Sequence, residues 1–234
     1  MFLVPRLKAK YYGDRVDGTT RYRDLIRAEL HKGAVIVDIG AGRGNSRTAV
    51  KDHARLSIAL EPSDAIVSND VAHARLRANG YALPIRDQTI DGVTLDYVVE
   101  HLEEPSILFS EVRRVLKAGG KMILRTPNLF HYVTCGASLT PQWFHDVVVH
   151  RLRAENGREP LWPTYYRANS PRRLRELLDR CGFRVSIQMV EAEPSYLAFA
   201  APAFLVGVGY ERLVNSTETL AILRSNMFAV ATKS

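Results

Sequence analysis

Residues 35–46, VIVDIGAGRGNS, hold the densest set of groups able to do chemistry. An apolar run reaches Asp38, and Gly40, Gly42 and Gly44 follow at alternate positions. Glycine permits positive φ in a tight turn and a close approach of backbone to ligand. Where a helix starts after such a turn, its free N–H groups favour an anion. A dinucleotide fold asks for G-x-G-x-x-G, whereas here Asn45 stands at the place of the third glycine. Glu61 ends the next apolar run, 17 residues after Gly44 and directly before Pro62. A carboxylate there can accept hydrogen bonds from both hydroxyls of a ribose. The loop and the carboxylate leave two cofactor classes open, a dinucleotide and a second adenosine cofactor.

The elements that must position these groups follow from periodicity. Residues 20–31 place Tyr22, Leu25, Ile26 and Leu30 at helical spacing, and Gly33 stops that helix. AVIVDIG reads as a buried parallel strand, and Ser46 is expected to cap a short helix reaching His53. SIALEP is the second strand, 64–69 a short helix, HARLRA the third strand and TIDGVTLDYV the fourth. Pro105 opens a helix, PSILFSEVRRVLKA, stopped by Gly119-Gly120, and KMILRT is the fifth strand. After an irregular, aromatic stretch at 127–169 come the helix PRRLRELLDRCG, a sixth strand FRVSIQMVE and a closing strand MFAVATKS. This order predicts an α/β fold with a doubly wound, mostly parallel seven-stranded sheet. A single domain is expected over 1–234, with an inserted acceptor or lid region at about 127–169 and an apolar insert at about 194–210.

Composition narrows the classes. The 234 residues are 46% hydrophobic and 24% charged, which excludes a disordered chain. Cys135 and Cys181 form no CxxC pair, which argues against a disulfide scaffold or cysteine zinc site, and no group with metal-ligand spacing stands out. The net charge is +7, with 25 Arg and 7 Lys, spread along the chain rather than gathered into a stripe. The apolar run at the N-terminus is only Phe2 to Val4, too short for a signal peptide, so a cytoplasmic protein is expected. Pro194 to Tyr210 carries no charge, yet holds Pro202, Gly207 and Gly209 and is marginal as a membrane span. It reads as a buried helix or flap, or as a peripheral contact with lipid through Phe199, Phe204 and Leu205.

Taken in order, DIGAGRG, ALEPS, ANGYALPIRDQTIDGV, DYVVEHL and EVRRVLKAGGKMILRTPN resemble class I S-adenosylmethionine-dependent methyltransferases of the type 11 group. The resemblance is strong over residues 34–128. It implies a Rossmann-like methyltransferase fold with the last strand antiparallel. It implies that Asp38 and the backbone of Gly40, Ala41, Gly42 and Gly44 hold the methionine moiety, and that Glu61, with Pro62, clasps the ribose. Asn79 and Gly80 fall where the family contacts adenine, although many members carry Asp at the Asn79 position. Asp96, Tyr97 and His101 would lie near the reactive sulfonium.

Methyl transfer to oxygen gains from a general base, and histidine suits that role near neutral pH. The candidates are His101, His131, which follows the fifth strand, and His145. Tyr11-Tyr12 could present aromatic faces to the sulfonium. The arginines of the second half, among them Arg151, Arg153, Arg158, Arg167, Arg172, Arg173 and Arg175, could meet an anionic acceptor or form a solvated face. LWPTYYRANSPRRLRELL and YERLVNS resemble uncharacterised bacterial methyltransferases of surface-polysaccharide clusters, which implies a small-molecule or glycan-like acceptor, lipid-linked in some cases. The competing readings are an NAD(P)-dependent Rossmann oxidoreductase and an RNA-modifying or RNA-binding protein.

Overall fold

The computed structural model describes residues 3–13, 15–139, 162–191, 193–194 and 197–234. Seven strands form one sheet in the order β3-β2-β1-β4-β5-β7-β6. They are β1 Val35–Ile39, β2 Leu56–Glu61, β3 Ala74–Arg77, β4 Ile90–Asp96, β5 Leu116–Pro127, β6 Phe183–Val190 and β7 Asn226–Lys233. The pairs β1–β2, β1–β4, β2–β3 and β4–β5 are parallel, and β7 runs antiparallel to both β5 and β6. The sheet is the doubly wound one that the sequence predicts.

Alternation along β1 shows how both faces are covered. Val35, Val37 and Ile39 enter a core with Leu108, Phe109 and Val112 of α3 (Pro105–Val115) and, from a later helix of residues 171–180, Leu174, Leu177 and Leu178. Ile36 points the other way, into a core with Ile26 and Tyr22 of α2 (Gly18–Glu29) and with Ile123 and Phe228. The two-residue period of a strand makes this division obligatory. Asp17 caps α2 by accepting hydrogen bonds from the Thr19 and Thr20 N–H groups. Pro105 stands in the first turn of α3, where a missing N–H costs nothing. Among the described residues the remaining α-helices are α1 (Leu3–Tyr12), α4 (Tyr132–Leu139), α5 (Pro171–Arg180) and α6 (Ala201–Asn215).

Three local expectations are corrected. No helix follows the glycine loop: residues 46–48 and 51–53 are turns. Only residues 45–55 separate the loop from β2, and an eight-residue helix would rise about 12 Å, leaving too little chain for both reversals. Instead the Asn45 side chain accepts a hydrogen bond from the Arg47 N–H (3.0 Å), and the Ala54 N–H closes on the Val50 carbonyl (2.8 Å). Helix α3 stops at Val115, and Leu116 already pairs with Ile90 as the start of β5. The segment ahead of Gly13, left unassigned from sequence, is α1.

Candidate active site

The parallel register sets the carboxyl ends of five strands side by side. Ile39 lies opposite Leu60 and Leu95, Glu61 opposite Arg77, and Asp96 opposite Arg125. Gly40, Glu61, Asp96 and Tyr97 therefore share one edge of the sheet. Strand order reverses between β1 and β4, and the crevice at such a switch point is where open α/β sheets bind ligands.

The glycine loop is held from several sides. The Gly40 and Ala41 N–H groups donate to the Leu60 carbonyl (2.8 and 3.2 Å), and the Gly44 N–H donates to the Ala41 carbonyl (2.9 Å). The Gly42 N–H donates to Glu61 Oε2 (3.3 Å). The anion-binding helix start expected after the loop is thus absent, and these four donors already have protein acceptors. Gly40 has φ +71°, and a Cβ there would run into Val98. Gly42 has φ +49° and borders open space. Asn69, which sequence reading missed, is buried and reaches the Ala41 and Gly42 carbonyls with Nδ2 (3.4 and 3.3 Å). A lone Asn after a short 3-10 turn carries no sequence signal for that role.

Three acidic residues lie along this edge without a cation bound to their carboxylates in the described contacts. Asp38 accepts a hydrogen bond from Thr94 Oγ1 (2.7 Å), and burial pushes its pKa up to about 7. Glu61 is buried and accepts from the Ser63 hydroxyl (2.6 Å) and the Ser63 N–H (3.1 Å). Glu100 is also buried, and burial raises it to about 7 although the Thr126 hydroxyl donates to it (2.9 Å). Asp96 differs. Arg125 clamps both its oxygens (2.6 and 2.7 Å), so this carboxylate is committed to an ion pair rather than presented to a ligand. The Arg125 guanidinium lies 4.9 Å from the Tyr22 ring and 4.5 Å from the Tyr97 ring. Tyr97 itself sits at φ +57° and its hydroxyl donates to Asn226 Oδ1 (2.9 Å).

Asn79 is exposed, and its Oδ1 accepts from the Tyr81 N–H (3.0 Å) in a local turn. A Cβ at Gly80 would meet Leu108, so this glycine lets the loop after β3 close onto α3. Pro62 is exposed at the end of β2, its carbonyl accepting from Arg77 Nε (3.2 Å). Glu100 and His101 anchor the chain where it re-enters after residue 161. The Glu100 carbonyl accepts from the Tyr165 N–H (2.8 Å), and His101 Nδ1 meets the Pro163 carbonyl (2.9 Å). A carbonyl only accepts, so His101 Nδ1 carries a proton.

His131 lies apart from this group, buried between Tyr132 and Tyr210 with ring centroids 4.2 and 5.7 Å away. Burial lowers its pKa to about 4, so it is a weak base, held neutral. Tyr12, expected near a sulfonium, instead donates to Glu211 (3.3 Å) and packs edge-on against Phe204. Tyr11 already carries Arg212, 5.1 Å from its ring. Arg172 pairs with Glu176 on the exposed side of α5. His145, Arg151, Arg153 and Arg158 lie outside the described residues, as does most of the expected acceptor region.

Residues 37–124 match the family model described as a methyltransferase domain. Over that stretch, 88 of the 234 residues, the chain is similar to a methyltransferase domain. It is 29% identical over 162 residues to a Mycolicibacterium smegmatis protein named "Probable S-adenosylmethionine-dependent methyltransferase", covering 65% of this chain and 53% of that protein. The chain thus spans about half the length of that curated relative. Among solved structures, a SAM-dependent methyltransferase from Thermotoga maritima superposes with a TM-score of 0.58 at 18% identity, over 100% of this chain and 92% of its own. Phosphoethanolamine N-methyltransferase 2 of Haemonchus contortus, solved in complex with S-adenosyl-L-methionine, gives 0.58 at 15% identity, over 96% of this chain and 55% of its own. At these identities the structural likeness speaks for the fold alone.

Proposed function

We propose that the chain transfers a methyl group from S-adenosylmethionine to a hydroxyl oxygen of a small, glycan-like acceptor. The observation that carries the cofactor half is the character of the crevice. Glu61 makes it acidic, with Asp38 and Glu100 adding partial charge near pH 7, and the N–H groups of Gly40, Ala41, Gly42 and Gly44 are taken by Leu60, Ala41 and Glu61. Such a site suits a cationic adenosine cofactor without phosphate and repels a dinucleotide. The same observation counts against the oxidoreductase reading.

Glu61 would accept the ribose hydroxyls, and Asp38 would face the cationic methionine end. Gly42, bordered by open space, would let the cofactor lie against the loop. When bound, S-adenosylmethionine supplies a methyl group on a sulfonium with a good neutral leaving group. The enzyme's part is then alignment and exclusion of water. His101 Nε2 would take the hydroxyl proton, with the Pro163 carbonyl fixing the ring through Nδ1. His131, a weak base on the far side of Tyr132, would pack the acceptor side.

The test is calorimetric titration of S-adenosylhomocysteine into wild type, Glu61→Gln and Glu61→Ala. Micromolar binding is expected in the wild type. Loss of charge-assisted bonds should weaken it about tenfold or more in both variants. A folded wild type that binds nothing would overturn the cofactor assignment. For the acceptor, turnover of soluble glycans that falls about a hundredfold in His101→Ala is expected; unchanged turnover in that variant removes His101 from proton transfer.

A further inference from the structure

We infer that α6 and α1 together form a docking face for an anionic lipid surface. This face is the solvent side of α6, and its argument does not depend on the methyl-transfer assignment. Helix α6 is apolar on both sides, but the protein covers only one. Phe204, Gly207, Val208, Glu211 and Val214 are buried. On the opposite side Leu205, Val206 and Leu213 are 43%, 70% and 59% exposed, and Phe199, just before the helix, is 74% exposed. Pro202 and Gly209 are exposed at the helical spacing that joins these residues into one stripe. The expectation that Phe204 belongs to such a surface is corrected, since it packs inward against Tyr12.

Charge at the border of the stripe selects the occupant. Helix α1 lies beside α6, joined by Tyr12 to Glu211 and Phe204. It carries Arg6, Lys8 and Lys10 and no acidic residue. Lys10 and Arg212 both sit over the Tyr11 ring, at 5.6 and 5.1 Å. The single carboxylate of α6, Glu211, is buried against Arg15 and Asn215, and Glu193 is paired with Lys8. The exposed rim is therefore cationic. A second copy docking through this face would set cations against cations, whereas anionic headgroups complement them. At 15 residues, α6 is about 22 Å long, too short to span a bilayer and suited to lie in its interface, with Lys and Arg stems reaching up to the headgroups. No helix among the described residues is long and apolar enough to cross a membrane.

The experiment is co-sedimentation of the full chain with vesicles of phosphatidylcholine containing about one quarter phosphatidylglycerol, against phosphatidylcholine alone. Wild type is expected to pellet with the anionic vesicles, and about 0.5 M salt to weaken that binding. Phe199→Ser/Val206→Ser and Lys10→Glu/Arg212→Glu should each lower binding about tenfold or more while retaining S-adenosylhomocysteine affinity and the wild-type circular dichroism spectrum. Wild type left in the supernatant, equal binding to both vesicle types, or unchanged binding in either double variant would overturn the proposal. A stable dimer that becomes monomeric in the serine variant would overturn it too, by assigning the face to a second copy.

Discussion

Arg125 joins four side chains with one guanidinium. It forks onto Asp96, stacks between Tyr22 and Tyr97, and donates to Thr19 Oγ1 (3.2 Å). Through these contacts it ties α2 to the carboxyl ends of β4 and β5. Arg125→Met should leave Asp96 and its neighbours without a countercharge in a mostly buried setting. The expected loss is about 3 kcal/mol in urea unfolding, with little recovery in Arg125→Lys because an ammonium cannot make the planar two-pronged contact. Nothing in the string ILRTPN marks this arginine as interior. Asp96 was legible as a residue at a strand end, but only register brings its partner opposite. Glu61 shows the contrary case. Its place at the tip of the second strand was readable, because a strand end followed by proline fixes where the side chain must stand.

At the scale of the element, the glycine loop separates two effects that sequence alone merges. Both Gly40 and Gly42 have positive φ, which costs an alanine about 1 kcal/mol at either site. Gly40→Ala also drives a methyl into Val98, while Gly42→Ala extends a methyl into open space beside Glu61. Thermal unfolding should therefore show the larger loss for Gly40→Ala. S-adenosylhomocysteine affinity should fall at least about tenfold for Gly42→Ala despite its milder destabilisation. Equal affinity in Gly42→Ala and wild type would mean that the cofactor does not lie against this stretch of loop. The turns after the loop were misread as a helix because Ser46 to His53 contains no residue that forbids one. The short return to β2 decides the matter, and that is a constraint of distance in the fold.

At the scale of the whole molecule, burial gives two carboxyl groups a contribution that favours the folded chain on the acid side. Glu100 rises from 4.5 to about 7 and Asp38 from 3.8 to about 7. Below the unfolded values both states are protonated. Between about pH 4 and 7 the folded chain retains protons that the unfolded chain has released, so stability falls as pH rises through that window. His131 works in the opposite sense: its pKa falls from 6.5 to about 4, and stability is lost as pH drops through that range. Glu100→Gln isolates one contribution, since its amide oxygen can still accept from the Thr126 hydroxyl. Relative to wild type, the variant should gain about 3 kcal/mol in urea unfolding between about pH 4.5 and 8. A constant difference across that range would place Glu100 in a wetter setting than the fold gives it.

The sequence by itself determined the sheet's class, the places of its first five strands along the chain, the glycine loop and the carboxylate after the second strand. Those features are local: a two-residue or helical period, a glycine, a proline, a strand end. It also determined that α6 is apolar, since composition suffices for that. Only the tertiary structure decided which side of α6 faces solvent, that Asp96 answers to Arg125, that His131 is a neutral packed ring, and that Asn69 holds the glycine loop. Each of these depends on what stands opposite a side chain, and residues opposite one another here are separated by tens to more than a hundred positions in the chain. Burial, which sets both the pKa values and the exposed stripe, exists only once those distant segments have met.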